Sequence, residues 1–219
     1  MTLFPQMENG FKPMPGGVAL TDKYRPETIE KFVGLDKQKK IIGNFAKKPV
    51  SCAWLFVGAS GVGKSSMGMA LAREMGAELH HIPSQQANLA NLEEVVRMCH
   101  YVPMFGGFHV VLVDEINDCS RAFQLALFSK LDSTDPCPNT IWVFTCNDTD
   151  KLEKPFLSRC RLLEFGSYGL RSDLAEFLAK VWESETGKPG ELNFERIAKD
   201  SQNNFRSALA TLEMELLAL

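Results

Sequence analysis

The chain lacks any apolar run approaching the roughly 18 residues that a membrane-crossing helix needs. Its first residues, Met1-Thr-Leu-Phe-Pro, lack the basic start and long apolar middle of a secretory leader. The expectation is a soluble, cytoplasmic protein, of a cell or of a virus in its host's cytoplasm, with no membrane among its partners. The six cysteines, at 52, 99, 119, 137, 146 and 160, include no C-x-x-C pair. Only four histidines accompany them, two of them adjacent at His80 and His81. Linear spacing therefore supports neither a disulfide framework nor a structural zinc site, and the only metal expected is Mg²⁺ carried in with a nucleotide. Excess positive charge is also missing. With a net charge of -3, any contact to nucleic acid must use a local patch or the pooled surface of an assembly.

What is present starts at Gly58-Ala59-Ser60-Gly61-Val62-Gly63-Lys64-Ser65, which matches G-x-x-x-x-G-K-[ST] and follows the apolar run Ala53-Trp-Leu-Phe-Val57. That pattern, between a buried strand and a helix, is a phosphate-binding loop. Glycines let successive backbone N–H groups turn inward around a phosphate, and the helix N-terminus adds a positive dipole. Lys64 supplies a point charge for the β- and γ-phosphates, and the Ser65 hydroxyl can ligate Mg²⁺. A nucleoside triphosphate is the implied ligand.

Two further strand ends carry polar groups. Val110-Val-Leu-Val113 runs into Asp114-Glu115, placing two carboxylates at the carboxyl edge of a sheet, where ligands of open α/β folds bind. Asp114 suits Mg²⁺, directly or through water, and Glu115 can polarise an attacking water. The plainer alternative is an acid that caps the next helix. Ile141-Trp-Val-Phe-Thr145 ends in Cys146-Asn147, whose amide can meet the γ-phosphate or the water, or can serve as a simple turn residue.

Strands are expected at 53–57, 78–82, 109–113, 140–145 and 161–165, and helices at 27–32, 36–46, 64–75, 91–100, 120–131 and 155–159. Their alternation argues for an α/β fold with a mostly parallel five-stranded sheet and right-handed crossovers. After Gly166 the pattern becomes purely helical, at 170–186, 193–200 and 204–218, as in a small helical domain. The expected division is an irregular lead-in (1–19), a nucleotide-binding α/β core (20–166) and a helical domain (167–219). At 219 residues and 45% hydrophobic composition, one larger and one smaller domain is a reasonable prior.

Taken in order, Lys23-Tyr24-Arg25-Pro26, Phe32-Val33-Gly34, the phosphate loop, Asp114-Glu115, Thr145-Cys146-Asn147, Ser158-Arg159-Cys160 and Asn203-Asn-Phe-Arg206 resemble the AAA+ clamp-loader ATPases. That group includes replication factor C small subunits, the bacterial gamma subunit and phage counterparts. The resemblance implies that Lys23, Tyr24, Arg25, Pro26, Val33 and Gly34 border the adenine and that Gly58 to Ser66 hold the phosphates. It further implies that Ser65 and Asp114 hold Mg²⁺, that Glu115 is the general base, and that Asn147 and Arg206 sense the γ-phosphate. Arg159 would be an arginine finger reaching the nucleotide of a neighbouring subunit, a role suited to its permanent charge and forked geometry. The implied partners are other clamp-loader subunits, a sliding clamp and primer–template DNA.

Three departures stand out. Leu127-Phe128-Ser129-Lys130 occupies the place of an arginine pair, the bacterial cysteine zinc module is missing, and the chain stops before the helical collar of its relatives. The last implies a monomer without nucleotide that assembles weakly with ATP and partners. A small-molecule kinase and a filament-forming AAA+ regulator of DNA are the alternatives.

Overall fold

The computed structural model describes residues 17–103, 106–132, 137–166, 169–190 and 192–218, so most of the lead-in lies outside the described residues. Strands β1 (Cys52–Gly58), β2 (Glu78–Ile82), β3 (His109–Val113), β4 (Thr140–Cys146) and β5 (Cys160–Phe165) form one sheet in the order β2-β3-β4-β1-β5. Every pairing is parallel. Residue type sets this order. β3 and β4 are buried at every position and β1 at four consecutive ones, as expected of strands covered on both faces. β2 and β5 carry exposed residues and lie at the two edges. Parallel pairing requires crossovers, supplied by α3 (Lys64–Glu74), α4 (Leu89–Cys99), α5 (Arg121–Leu131) and α6 (Lys154–Arg159); α2 (Asp36–Lys47) precedes β1.

The helix starts differ in a way that bears on function. Asn88 caps α4 by accepting from the Asn91 N–H, and Ser120 caps α5 by accepting from the Phe123 N–H. α3 instead begins after Gly63, at φ 98°, with no side chain to cap it. Within α3, a Cβ on Gly68 would stand 3.0 Å from Leu112 and 3.2 Å from Val143, so glycine lets this helix lie close on the sheet. The helix expected at 27–32 is only a single 3₁₀ turn, Ile29–Lys31. The Ile29 N–H is drawn to Glu74 Oε2 of α3 at 3.3 Å, away from a helical acceptor of its own.

Beneath α4, α5 and α6 the core is built on Val111, Val113, Phe123, Leu127, Phe144 and Phe156, all fully buried. Each such phenylalanine contributes about 1.5–3 kcal/mol by leaving water. In the Leu127-Phe128-Ser129-Lys130 segment, Leu127 is in this core and Phe128 packs its ring 5.9 Å from that of Phe156.

Contacts divide the chain into Pro26–Ser167 and a second unit formed by Tyr168–Leu219 with the described part of Met1–Arg25. Residues 20–25, expected in the α/β core, group with the helices instead. The second unit packs α7 (Arg171–Thr186), α8 (Phe194–Asp200) and α9 (Phe205–Leu217) around Leu174, Leu178, Trp182, Ala198, Leu209 and Leu212. The short helix α1 (Leu20–Lys23) joins them through Leu20, which is fully buried in that cluster and whose N–H donates to Glu213 Oε1 at 3.3 Å. No helix among the described residues is long and apolar enough to cross a membrane.

Candidate nucleotide site

The loop from Gly58 to Lys64 leaves β1 and enters α3. Gly58, Gly61 and Gly63 have φ of 157°, 73° and 98°, and the last two lie in the left-handed region that favours glycine. A side chain at Gly58 would meet the Phe165 carbonyl oxygen at 2.2 Å, and one at Gly63 would meet the Phe32 ring at 3.1 Å. The Phe32-Val33-Gly34 segment therefore abuts the phosphate loop through Phe32. Val62 is buried, and Ala59 and Ser60 are exposed on the outer side of the loop. Ser65 and Ser66 follow in the first turn of α3, both half-buried.

Lys64 is buried, and its ammonium is held inside the loop. It donates to the carbonyls of Gly58 at 2.6 Å and Ala59 at 2.8 Å, and to Asn147 Oδ1 at 3.1 Å. The tip of β4 is thereby tied to the loop at the end of β1, its sheet neighbour.

Asp114 follows the last residue of β3 and is the most heavily bonded acid of the site. Its Oδ1 accepts from the Ser65 hydroxyl and, at 3.1 Å, from the Thr145 hydroxyl; its Oδ2 accepts from His81 Nε2 at 2.6 Å. Burial pushes the Asp114 carboxyl up, but the bonds from His81, Ser65 and Thr145 outweigh it and hold the group below the usual carboxylate range. It is an anion at neutral pH. A carboxylate beside a serine hydroxyl is a hard oxygen donor pair, so Ser65 and Asp114 fit Mg²⁺.

Glu115 is exposed, and its backbone lies in the left-handed region at φ 50°, ψ 54°. A non-glycine residue held there costs on the order of 1–3 kcal/mol and is found where the surroundings impose it. Thr145 does so here, because its Oγ1 accepts the Glu115 N–H at 3.0 Å. One buried hydroxyl on β4 thus fixes both acids of β3. His81 and Thr145 were given no role by sequence reasoning, although the His80-His81 pair and the Thr145-Cys146-Asn147 triplet had been noted. Their signal lies in strand order, which sets the ends of β2 and β4 on either side of β3.

Arg159 ends α6, away from these groups in hydrogen bonding. Its Nε and Nη2 grip the two carboxylate oxygens of Asp132 at 3.0 and 2.9 Å, and Nη1 donates to the Pro155 carbonyl at 2.8 Å. The Arg159 fork holds the Asp132 carboxyl below its ordinary value.

The remaining expected residues fall in both units. Pro26, Val33 and Gly34 belong to the sheet unit, and Gly34 takes φ 61° in the turn ahead of α2. Lys23, Tyr24, Arg25 and Arg206 belong to the helical unit. There Lys23 Nζ pairs with Glu185 at 2.7 Å, the Tyr24 hydroxyl donates to the same carboxylate, and Arg25 pairs with Asp22 at 2.6 Å. Arg206 is exposed in the first turn of α9.

The likenesses to known proteins agree with this chemistry. A replication factor C small subunit of Methanococcus maripaludis (strain C5) is 27% identical over 201 residues, covering 88% of this chain and 62% of that protein. The DNA polymerase III subunit gamma of Buchnera aphidicola subsp. Schizaphis graminum is 23% identical over 220 residues, covering 89% of this chain and 60% of that one. The chain thus spans about three fifths of the length of these relatives. Among solved structures, the Thermotoga maritima RuvB Holliday junction branch migration motor superposes with a TM-score of 0.68 at 20% identity, over 87% of this chain and 64% of that one. A likeness at that identity shows the fold. Residues 54–167, a span from β1 to just past β5, match the ATPase family associated with various cellular activities (AAA), and the chain belongs to that family of ATP-hydrolysing enzymes.

Proposed function

We propose that the chain is an ATP-hydrolysing subunit of a sliding-clamp loader, which uses ATP binding and hydrolysis to open a clamp and place it on primer–template DNA. The observation that carries the hydrolytic part is the network joining Lys64, Asn147, Thr145, Asp114 and Glu115 across three adjacent strand ends. It pairs a phosphate-binding cation with an acid that is fixed through its backbone and exposed at its carboxylate. Similarity to replication factor C small subunits over most of the chain supports the clamp-loading part.

In this reading the loop N–H groups from Gly58 to Ser66 hold the phosphates of ATP, and Lys64 turns from the loop carbonyls toward the β- and γ-phosphates. Ser65 and Asp114 would hold Mg²⁺, which, when bound, neutralises charge on the phosphate oxygens. Glu115 orients and deprotonates the attacking water. Asn147 leaves Lys64 to contact the γ-phosphate or that water. Lys23, Tyr24, Arg25, Pro26, Val33 and Gly34 border the adenine, and Arg206 links the γ-phosphate to the helical unit as a lid. Arg159 leaves Asp132 and completes the site of a neighbouring subunit, where its fork meets the developing phosphoryl charge. DNA contacts fall on a helix-start face within Ser84–Arg97. A cytoplasmic location follows from this role.

The test is a pull-down of a sliding clamp from the same source with a non-hydrolysable ATP analogue, followed by ATPase measurement with clamp and primed DNA. Capture of the clamp and stimulation of ATPase are expected. ATP-dependent helical filaments on DNA without clamp capture would instead establish an AAA+ regulator of the transposition or recombination type.

A further inference from the structure

The sheet unit holds a second set of metal-ligating side chains that the nucleotide chemistry does not use. Parallel pairing of β2 with β3 sets Glu78 opposite His109 and His80 opposite Val111, so 78, 80 and 109 share one face. Cys99, the last residue of α4, covers that face. Within it His80 Nε2 lies 3.0 Å from His109 Nδ1, and the ligand atoms of His80, Cys99 and His109 all fall within 4.8 Å of one another. All three residues are buried. The carboxylate of Glu78, half exposed, adds Oε1 at 4.0 Å from His80 Nε2 and Oε2 at 3.8 Å from His109 Nδ1.

Second partners decide what these atoms can do. His109 Nε2 lies 2.9 Å from the Tyr101 carbonyl, which can only accept, so His109 carries its proton on Nε2 and turns the Nδ1 lone pair toward His80 and Cys99. A backbone acceptor of this kind is the usual outer support of a metal-bound imidazole. Burial, and then the neighbouring His109, hold the His80 ring below its ordinary value and therefore neutral, as ligation requires. Burial pushes the Cys99 thiol up to about 12, so a thiolate there requires a cation beside it.

From this geometry we infer that His80, Cys99 and His109, closed by Glu78, form a structural zinc site that pins the end of α4 to the edge of the sheet. One thiolate, two imidazoles and one carboxylate suit the tetrahedral, borderline-soft Zn²⁺ and not the hard Mg²⁺. Zinc–nitrogen bonds of about 2.0–2.1 Å and a zinc–sulfur bond of about 2.3 Å require these side chains to shift by roughly 1 Å. On binding, Cys99 releases its thiol proton to solvent, and His80 moves its ring proton from Nε2 to Nδ1. His109 opens β3 whereas Asp114 follows its last residue, about 16 Å further along the strand direction, so the two metal positions are separate. Linear spacing hides the site because its ligands come from two strands and a helix end, with no C-x-x-C signature.

The test uses the full chain, without a polyhistidine tag, stripped by a chelator and titrated with Co²⁺. The expected result is one cobalt per chain, showing tetrahedral d–d bands and a thiolate-to-cobalt charge-transfer band, both erased by Zn²⁺ and unmoved by Mg²⁺. Zn²⁺ at about a thousandfold over its Kd should raise the Tm by roughly 8 °C or more. Cys99→Ala and His109→Ala should lose both bands, while His81→Ala, altered at the nucleotide site, keeps them. Absence of the charge-transfer band in the wild-type chain would overturn the inference even if the two variants fail to fold. Bands that survive Cys99→Ala, or that vanish in His81→Ala, would overturn it equally.

Discussion

Replacing Thr145 with valine preserves shape and volume in a position that is 1% exposed, and it removes a single hydroxyl. That hydroxyl accepts the Glu115 N–H at 3.0 Å and donates to Asp114 Oδ1 at 3.1 Å. A hydrogen bond to a charged group is worth about 1.5–3 kcal/mol, and an N–H stripped of its acceptor costs about 1–3 kcal/mol. Glu115 is also held in the left-handed region at φ 50°, a conformation it would leave without that anchor. If about 1.4–2.8 kcal/mol of this loss appears in the transition state, kcat falls about 10- to 100-fold. Lys64 and the loop are untouched, so ATP affinity should change little. Thr145→Ser keeps the hydroxyl and should recover most of the rate. Steady-state ATPase measurement, paired with equilibrium binding of an ATP analogue, separates the two effects. A Thr145→Val chain that retains more than half of the wild-type kcat, or a Thr145→Ser chain as slow as the valine variant, would refute the anchoring role.

Lys64→Ala should remove most ATP affinity, whereas Glu115→Gln should bind ATP normally and lose about 10²–10⁴-fold in turnover, both read by paired binding and ATPase assays. Arg159→Ala should leave ATP binding by the isolated chain intact and abolish ATPase in the assembly, with partial rescue on mixing with Lys64→Ala chains. Asp132→Ala, which only releases the Arg159 fork, should leave that assembled activity at or above wild type, and a loss as deep as that of Arg159→Ala would mean the ion pair is purely structural. The depressed Asp114 carboxyl adds stability above its unfolded pKa of about 4 and gives it up as the pH falls through the lower folded value. Chemical denaturation from pH 5 to pH 2 should therefore be steeper for the wild type than for Asp114→Asn, and parallel curves would contradict the assignment.

The strands were legible because β1, β3 and β4 are apolar runs bounded by glycine or polar residues, and such runs have few other places to go than a covered parallel sheet. The phosphate loop was legible because its glycines are required by backbone geometry, as the clashes at Gly58 and Gly63 show. What stayed hidden depends on which strands become neighbours. His81 meets Asp114 only because β2 pairs with β3, and Thr145 reaches both acids only because β4 lies beside β3. The Asp132 partner of Arg159 is 27 residues away, at the end of a different helix, with no periodic relation to it. Residues 20–25 joined the helical unit because Leu20, Lys23 and Tyr24 find their partners among α7 and α9, although their sequence adjoins the sheet unit.

The insertion of β4 between β1 and β3 has a consequence for how the site responds to its ligand. β1 delivers the phosphate loop and β3 delivers the two acids, but few direct bonds join those strand ends, Ser65 to Asp114 being one. β4 supplies others from two residues of its own tip. Asn147 accepts from Lys64 on the β1 side, and Thr145 holds Asp114 and Glu115 on the β3 side. A phosphate that draws Lys64 off the loop carbonyls must also change what Asn147 bonds to. Thr145, two residues earlier on the same buried strand, stays fixed and keeps the Glu115 backbone in place. In the proposed function, the site thus separates into a part that moves with the phosphates and a part that does not. That division, in the same reading, keeps the Glu115 backbone in one place while the ligand beside it changes.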